Sequence, residues 1–520
     1  MRLLIRGGDV LDGTGAPSTS SDVLISDGRI EEIAPNISAP DALAIDAVGC
    51  VVTPGFVDMH RHCDIAAVTG GAFGKLELAQ GITSTIAGNC GLAPVPCAPS
   101  HRRELYDFLE PITGAIAPDL LFQDYSSYLN ALKAASLPLN VGFLAGLGAI
   151  RTAILGFTKN PLSADGLKTA EAFVRQAMEH GAFGISTGLM YQPECYALCD
   201  EMVAQAKIAA KYDGILCAHI RGEGDHLVES VREAIGIAMK SGIRLNISHF
   251  KGTGVRNWGK AVYLAMEEIE AARARGHEVT ADFYPYDGGA TTLLSLIPPS
   301  VTQSDNAATL RYLETNAGRD ALRRELRREH PGWDNMALSI GWSRIVISSA
   351  ALPEDQHLMG KDIQTLSGDR DPADFVCDLL LRERGKVGII VLSMDQRDVD
   401  AIARLPYTAV ISDALYGGGR PHPRLYGAFP KIIEDYVLRR AVLTLPEAIH
   451  KMTGMPAERL RLKDRGLLRS GYRADINIFN PSAIRAPATF EEPEQIASGM
   501  TAVLIAGQKP GRSLGRAMLK

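Results

Sequence analysis

Short apolar runs rich in β-branched residues recur along the middle of the chain and alternate with longer stretches of amphipathic spacing. The longer stretches, such as Met202–Tyr212, Leu227–Lys240 and Lys260–Arg275, place apolar residues at helical intervals, which predicts helices. The apolar runs are predicted to be buried strands, and they are Val52–His62, Ile82–Gly88, Asn140–Leu144, Ala182–Thr187, Ile215–Ile220, Leu245–Phe250, Val279–Tyr284 and Thr408–Ser412. Because strands that alternate with helices form parallel sheets, this α/β pattern of eight strands predicts a closed (β/α)8 TIM barrel.

The two ends of the chain show a different pattern, in which short strands are separated by turns. The strand candidates are Leu3–Ile5, Asp22–Ile25 and Arg29–Ile33 at one end, and Ala474–Phe479 and Ala502–Gly507 at the other. Asp27-Gly28 is typical of a type I′ hairpin turn. We expect one small β-sandwich built from both chain termini, although two independent β-ribbons would give the same pattern.

The length of the chain, 520 residues, exceeds what one ordinary hydrophobic core supports. We therefore predict that residues 1–53 and 466–520 form the β-sandwich and that residues 54–465 form the barrel. The segment from about residue 288 to 399 is longer than a crossover connection needs, which predicts an insertion over the barrel mouth.

Composition and charge restrict the possible partners. The chain is 46% hydrophobic and 22% charged, as globular proteins are, and 54 Lys and Arg against 60 Asp and Glu give a net charge of −6. It has no basic block that would suit a phosphate backbone, so we expect no nucleic-acid partner. The N-terminal segment lacks the pattern of a secretory signal and no apolar run is long enough to span a bilayer, which predicts a cytoplasmic protein without membrane contact. The eight cysteines form no CxxC pair, so we expect no disulfide framework.

Two histidines end the first predicted barrel strand. His60 and His62 are spaced i, i+2 after a long apolar run, and Pro54-Gly55 places a turn signal inside that run. Side chains at i and i+2 share one face of a strand, so both imidazoles can point at one spot, as metal ligands do. Two unrelated histidines at a strand end are the alternative for this pair taken alone.

Residues able to bind a metal or move a proton follow other predicted strands as well. In a parallel barrel, catalytic residues sit at the carboxyl ends of the strands. Taken singly, such residues have structural explanations. His219 could be a buried core imidazole, Cys90 a buried thiol and Asp413 a helix N-cap. Together they indicate a site, and the full set is His60, His62, Cys90, His219, His249 and Asp413.

Thiolate and imidazole ligands suit zinc better than magnesium or calcium, which prefer oxygen. Three protein ligands and an open position define a catalytic zinc site, where the pKa of a bound water falls to about 7. Asp413 is then placed to take the proton of that water and to give it to a leaving nitrogen. These residues predict metal-assisted hydrolysis.

Motifs along nearly the whole chain resemble the amidohydrolase superfamily and, within it, the N-acyl-D-amino-acid deacylases, or D-aminoacylases. PGFxDxHxH marks only the superfamily, whereas GNCG together with HIRxEGD and HPRxYGxFP is specific to these deacylases. The matching stretches are PGFVDMHRH (54–62), QGITSTIAGNCG (80–91), GISTGLMYQP (184–193), AHIRGEGD (218–225), ISHFKGTG (247–254), ADFYPYDGGAT (281–291), ISDALYGGGRPHPRLYGAFP (411–430) and ADINIFNP (474–481).

The resemblance implies a metal site and a catalytic residue. A tightly bound zinc would be held by Cys90, His219 and His249, with Cys90 in place of the carboxylated lysine of hydantoinase-like relatives. A second, weaker site would be formed by His60 and His62, and Asp413 would be the catalytic acid and base.

The resemblance also implies residues that bind the substrate. Arg424 would hold the α-carboxylate through its bidentate geometry, assisted by Lys251 and by a tyrosine, Tyr284 or Tyr286, while Tyr191 would polarise the scissile carbonyl. A structural ion pair is the alternative for Arg424, a solvated loop position for Lys251, and packing for the two tyrosines.

Three positions depart from the family pattern. Ala290 stands where a serine hydroxyl is common, Leu147 where a histidine is common, and Glu194 where glycine is common. These changes leave the metal ligands intact and make the usual substrate preference an open question.

The sequence therefore predicts a zinc-dependent enzyme that hydrolyses a small-molecule substrate, the amide bond of an N-acyl-D-amino acid. Hydrolysis of a cyclic, hydantoin-like amide or of a peptide-like amide is the enzymatic alternative. A non-catalytic metal-binding protein is the alternative from another class. The sequence leaves the oligomeric state open.

Overall fold

The computed structural model describes residues 2–117, 119–510 and 514–520. Its strands are β1 (Arg2–Val10), β2 (Thr19–Ser26), β3 (Arg29–Ala34), β4 (Leu43–Asp46), β5 (Val51–Pro54), β6 (Phe56–Asp58), β7 (Ile82–Ala87), β8 (Asn140–Phe143), β9 (Ala145–Gly146), β10 (Gly184–Gly188), β11 (Ile215–His219), β12 (Arg244–Ile247), β13 (Val279–Phe283), β14 (Gly289–Thr292), β15 (Ile345–Ala350), β16 (Val387–Val391), β17 (Thr408–Val410), β18 (Ile476–Phe479) and β19 (Met500–Leu504).

The α-helices are α1 (Ala66–Thr69), α2 (Lys75–Ala79), α3 (Arg102–Thr113), α4 (Tyr125–Ala134), α5 (Leu147–Leu155), α6 (Ala164–Glu179), α7 (Cys199–Ala210), α8 (Leu227–Ser241), α9 (Ala261–Ala274), α10 (Asn306–Glu314), α11 (Asn316–Glu325), α12 (Met336–Ile340), α13 (Ile363–Ser367), α14 (Pro372–Arg382), α15 (Gln396–Arg404), α16 (Arg424–Lys431), α17 (Leu445–Met452) and α18 (Gly454–Arg459). A π-helical segment, Ile432–Arg439, continues from α16. Short 3₁₀ helices cover Pro99–His101, Glu194–Tyr196, Val255–Asn257, Leu293–Leu296, Trp342–Arg344, Pro353–Leu358 and Pro481–Ala483.

Parallel strands form the barrel that the sequence predicts. One run of neighbours is β6-β7-β8 and the other is β9-β10-β11-β12-β13-β17, so the third barrel strand is split between β8 and β9. The barrel closes where the first and last strands end: the Asp413 N–H donates to the His60 carbonyl (2.9 Å) and the His62 N–H to the Ala414 carbonyl (3.0 Å). The closing seam therefore carries three of the candidate site residues, and the predicted (β/α)8 architecture is confirmed.

The prediction of one strand over Val52–His62 was wrong, because this stretch contains two strands. Its apolar run serves two sheets, with β5 in the sheet at the chain ends and β6 in the barrel. The chain passes between them at Gly55, where a Cβ atom would collide with the Thr83 side chain. The Pro54-Gly55 turn signal marks this passage.

The two chain ends share one sheet. Its order is β19-β18-β5-β1-β2-β3, with β4 paired to β1, so two independent ribbons are ruled out. The β2–β3 hairpin turns through Asp27 (φ 49°) and Gly28 (φ 78°), both in the left-handed region that a type I′ turn requires. This sheet has a hydrophobic core of its own, to which Ile5, Val23 and Ile478 belong. The division of the chain at residues 53 and 466 stays a prediction.

The segment after β13 forms a small unit between two barrel strands. An antiparallel sheet of order β14-β16-β15 packs with helices α10 to α14 around a separate core that includes Leu313, Ile347 and Leu380. Gly289, Ala290 and Val391 of this sheet line the cleft at the carboxyl ends of the barrel strands. The insertion thus forms one wall of the candidate site.

Among the described residues, no helix combines the length and apolar character needed to cross a membrane.

Candidate active site

The six residues predicted to bind metal or transfer a proton lie together at the ends of five barrel strands. His60 and His62 follow β6, Cys90 follows β7, His219 ends β11, and the remaining two, His249 and Asp413, follow β12 and β17. All six are buried, with at most 5% of each residue exposed. The structure therefore brings the predicted set together at the carboxyl end of the barrel.

Three of these residues form a cluster with the chemistry of a zinc site. The ligand atoms of Cys90, His219 and His249 lie within 4.8 Å of one another, and Cys90 Sγ is 3.5 Å from His249 Nε2. Both ring nitrogens of His219 are buried and lack a hydrogen-bond partner among the described residues. Because a buried polar atom without a partner is costly, this donor set fits a bound zinc ion.

Protonation supports the same interpretation. Burial lowers the pKa of His219 well below its usual value, and burial together with the charge of Lys251 does the same for His249. Both imidazoles are therefore neutral at neutral pH, which is the form that binds a metal. Burial raises the pKa of the Cys90 thiol, and a cation is required to favour its thiolate.

His60 and His62 offer a second group of ligands. With Cys90 their ligand atoms also lie within 4.8 Å of one another, and Cys90 Sγ is 3.2 Å from His60 Nε2. Cys90 is thus shared between the two groups.

Three site residues adopt left-handed backbone conformations: Cys90 (φ 55°), His249 (φ 36°) and Asp413 (φ 49°). Such conformations are uncommon for residues with a Cβ atom, and the surrounding structure must hold them in place. They occur just after the barrel strands, where the chain turns and the side chains point into the cleft.

Asp413 lies between the histidines and a cation. Its Oδ1 is 3.3 Å from both His60 Nε2 and His62 Nε2, and its Oδ2 is 2.7 Å from Arg424 Nη1. Burial alone would raise the pKa of Asp413, but the charge of Arg424, together with the hydrogen bond to His62, holds it well below its usual value. Asp413 is therefore an ionised carboxylate, as a general base must be.

Comparison with known proteins agrees with this geometry. A model of the amidohydrolase family matches residues 397–509. The chain is 32% identical over 531 residues to N-acyl-D-glutamate deacylase of Alcaligenes xylosoxydans xylosoxydans, covering 99% of this chain and 96% of that protein. This chain belongs to the N-acyl-D-amino-acid deacylase family of amidohydrolases.

Other members of the deacylase family match along their whole length. D-aminoacylase from the same organism is 29% identical over 525 residues, covering 99% of this chain and 97% of that protein. A structure of N-acyl-D-glutamate deacylase from Bordetella bronchiseptica, complexed with zinc and a phosphonate mimic of the tetrahedral intermediate, superposes with a TM-score of 0.84 at 29% identity, covering 100% and 99% of the two chains.

Glu223 contacts the metal-binding cluster without being one of its ligands. Its Oε1 is 3.0 Å from His249 Nδ1 and 2.5 Å from Lys251 Nζ. Lys251 Nζ is also 2.8 Å from His249 Nδ1, so Glu223 holds the lysine ammonium against the ring whose Nε2 faces Cys90. From its place four residues after His219 in a family motif, Glu223 is expected in a salt-bridged loop that supports His219, and the structure places its carboxylate 3.9 Å from His219 Nε2 as well as against His249 and Lys251.

Asp282, the last residue but one of the buried strand β13, was not predicted as a site residue. Its Oδ1 accepts the backbone N–H of His249 and lies 3.8 Å from His60 Nδ1, while its Oδ2 accepts from Asn246 Nδ2 (2.5 Å). A carboxylate inside an otherwise apolar strand was the available signal. Asp282 fixes the turn that presents His249.

The predicted substrate-binding residues fall into two groups. Arg424, Lys251, Tyr191 and Tyr284 line one cleft of about 810 Å³, which includes its open mouth, together with the metal cluster. Arg424 lies over the Tyr284 ring, 4.6 Å from its centroid. The Tyr191 hydroxyl is 3.2 Å from Thr291 Oγ1, and its ring centroid is 4.8 Å from that of His219.

Tyr286 does not line this cleft. Its hydroxyl donates to the Pro423 carbonyl (3.4 Å) and its ring packs against His422 and Phe490. For Tyr286 the packing alternative therefore holds, and Tyr284 is the tyrosine that faces the site.

The three departures from the family pattern occupy different environments. Ala290 lines the cleft, and Leu147 is buried in the core of the barrel. Glu194 is buried beside the turn that carries Cys90, where it accepts hydrogen bonds from the Thr187 hydroxyl and the Gly188 N–H. Burial raises the pKa of Glu194 to about 7.

The turn at Cys90 depends on the glycine that follows it. Gly91 has φ 69°, and a Cβ atom there would collide with Glu194 Oε2. We expect Gly91→Ala to lower the free energy of unfolding by about 1–3 kcal/mol and to weaken zinc binding. Gly71→Ala is the matched control, because Gly71 has φ 75° and open space around it. Thermal unfolding and zinc content measure both effects, and equal loss in the two variants would contradict the role of the collision.

Removing the charge of Glu223 tests its support of the metal cluster. Glu223→Gln is expected to lower zinc affinity or activity about 10–100-fold, because the neutral amide no longer holds the Lys251 ammonium and the His249 ring in place by charge. Asp225→Asn is the control, since Asp225 lies on the same loop but pairs with Arg256 at the surface. Unchanged zinc affinity and activity in Glu223→Gln would contradict this role.

Proposed function

We propose that this protein hydrolyses the amide bond of N-acyl-D-amino acids and releases a carboxylate and a free D-amino acid. The observation that carries the proposal is one cleft that holds a zinc-binding cluster, an ionised aspartate and the cations of Arg424 and Lys251. Relatives named D-aminoacylase and N-acyl-D-glutamate deacylase match it over nearly their full length, which supports the same reaction here.

Cys90, His219 and His249 would hold the tightly bound zinc, and His60 and His62, sharing Cys90, would form the weaker second site. A zinc ion bound there supplies a Lewis acid that polarises the acyl carbonyl and acidifies water. A family structure of D-aminoacylase is described as having a binuclear metal centre with one-metal activation and second-metal attenuation, and it has a TM-score of 0.82 at 29% identity, covering 100% and 99% of the two chains. One tight site and one weak site are consistent with that description.

Asp413 would move the proton. As an ionised carboxylate beside the cluster it takes a proton from the attacking water, and it then gives that proton to the nitrogen of the leaving amine. The ion pair with Arg424 keeps one carboxylate oxygen fixed, so the other, Oδ1, faces the histidines and the reacting atoms.

The remaining cleft residues would hold and orient the substrate. Arg424 and Lys251, with the Tyr284 ring between them, form a cationic corner for the α-carboxylate. Tyr191 stands against His219 and would donate its hydroxyl to the carbonyl oxygen as charge develops there. The cytoplasmic location expected from the sequence stays a prediction.

The test is release of free amine from N-acetyl-D-methionine and from its L-enantiomer by the purified, zinc-containing protein. We expect rapid release from the D-enantiomer and none above background from the L-enantiomer. A hydantoin and a D-dipeptide serve as alternative amides. Cleavage of either of these without cleavage of N-acetyl-D-methionine would overturn the proposed substrate class.

A further inference from the structure

The cleft is lined by two apolar walls that belong to separate hydrophobic clusters. One wall, formed by Leu92, Ile112 and Leu415, lies beside the metal cluster, because Leu92 follows Cys90 by two residues and Leu415 follows Asp413 by two. The other, which we name the insertion wall, is formed by Trp333 and Met336 of the insertion. Both insertion-wall residues are half-buried in the described structure.

Hydrogen bonds connect the insertion wall to the loops that position Lys251. Asp334, between the two wall residues, accepts the Gly224 N–H at 2.6 Å. The adjacent Glu223 holds the Lys251 ammonium, and the Glu223 carbonyl accepts the Thr253 N–H at 2.7 Å. The wall is therefore supported by the two loops that position Lys251.

The position of the insertion wall indicates which part of the substrate it would contact. In an amino acid the side chain and the α-carboxylate leave the same carbon atom, whereas the acyl group lies across the amide bond. If the carboxylate binds at Lys251 and Arg424, as the proposed function states, the side chain faces the insertion wall. The acyl group then lies towards the wall beside the metal cluster.

The charges around the cleft leave no cation for a second carboxylate. Of the described residues that line it, Arg221 is fully engaged, because its guanidinium pairs with Glu233 (2.9 Å) and also donates to the Cys195 carbonyl (2.7 Å). The other two cations, Lys251 and Arg424, each pair with one carboxylate, at 2.5 and 2.7 Å, and both would contact the α-carboxylate of the substrate. Asp334 adds a further carboxylate to the lining, so an acidic side chain would meet apolar surface and like charge.

We propose that Trp333 and Met336 form the side-chain subsite and select N-acyl-D-amino acids with bulky, uncharged side chains over those of D-glutamate and D-aspartate. This inference rests on the proposed function and adds the side-chain class. A second cavity of about 230 Å³ shares Met190, Tyr191, Arg221 and Trp333 with the cleft, which leaves room for long or aromatic side chains. Relatives named for D-glutamate and D-aspartate are 32% and 30% identical, so overall similarity does not decide this selectivity.

The first test compares kcat/KM for N-acetyl-D-methionine, N-acetyl-D-glutamine and N-acetyl-D-glutamate. Glutamine and glutamate have nearly the same shape, so their ratio isolates the effect of the negative charge. We expect D-methionine to be best and D-glutamate to be about 10²-fold or more below D-glutamine, because the charge would be desolvated without a partner. D-glutamate equal to or better than D-glutamine would overturn the subsite, whereas release from none of the three would overturn the proposed function itself.

The second test changes the wall. Met336→Ala is expected to lower kcat/KM for N-acetyl-D-methionine about tenfold, mainly through KM, with N-acetyl-D-alanine and zinc content nearly unchanged. Met336→Arg should raise kcat/KM for N-acetyl-D-glutamate, and Met336→Gln is its neutral control. Equal loss for all side chains in Met336→Ala, or no gain for D-glutamate in a folded Met336→Arg, would contradict the subsite.

Discussion

Asp413→Asn is expected to lower kcat by about 10²–10⁴-fold while the zinc content stays unchanged. The amide keeps the shape of the carboxylate but cannot take a proton from water, and it also leaves Arg424 Nη1 without its anionic partner. Cys90, His219 and His249 do not need Asp413 as a ligand, so the tight metal site should survive. Steady-state kinetics and elemental analysis of the same preparation measure both quantities.

Asp398→Asn is the matched control for that variant. Asp398 is also a buried aspartate, but it accepts hydrogen bonds from the Gly259 N–H and does not line the cleft. We expect its kcat to stay close to that of the unmodified protein. Turnover by Asp413→Asn close to that of the control would remove Asp413 as the acid and base.

Cys90→Ala is expected to abolish tight zinc binding and to lower kcat about 10³-fold or more, since a Lewis acid supplies several kcal/mol to such a reaction. Cys90 provides the thiolate of the cluster and lies within ligand distance of both histidine groups. Its loss leaves His219 and His249 without the third member of a three-ligand site. Zinc content after dialysis, followed by amine release, measures the effect.

A second buried cysteine provides the control for Cys90→Ala. Cys217 lies two residues before His219 on β11 but does not belong to a metal-binding group among the described residues. Cys217→Ala should therefore retain zinc and activity. Full zinc content in Cys90→Ala would show that the metal is held elsewhere.

The barrel was predictable because each of its strands is a short apolar run followed by an amphipathic stretch, a local property of the sequence. The first strand was misjudged because an apolar run does not reveal how many sheets it enters. Val51–Pro54 and Phe56–Asp58 look continuous in hydrophobicity, yet they pair with β18 and β7, respectively. Only the Pro54-Gly55 turn signal distinguishes them.

The metal cluster was predictable because parallel strands bring their carboxyl ends together whatever their separation along the chain. The motif indicated a supporting loop at Glu223 but not its contacts with His249 and Lys251, and Asp282 was not predicted at all. These contacts depend on loop conformations that strand periodicity does not determine. The same limit applies to the tyrosines, which would share a face at i, i+2 in a strand. Since β13 ends at Phe283, Tyr284 turns into the cleft and Tyr286 packs against His422. The insertion wall could not be predicted, because no motif marks Trp333 and Met336. Their position depends on how the separate hydrophobic core of the insertion folds.

The most direct test of the account is a zinc titration of metal-free protein, followed by release of amine from N-acetyl-D-methionine. We expect negligible release without metal and a rise to full activity at about one equivalent of zinc, as a single three-ligand catalytic site requires. Release that is unaffected by removing and restoring zinc would contradict the account, because the buried cluster of Cys90, His219 and His249 would then have no part in the reaction.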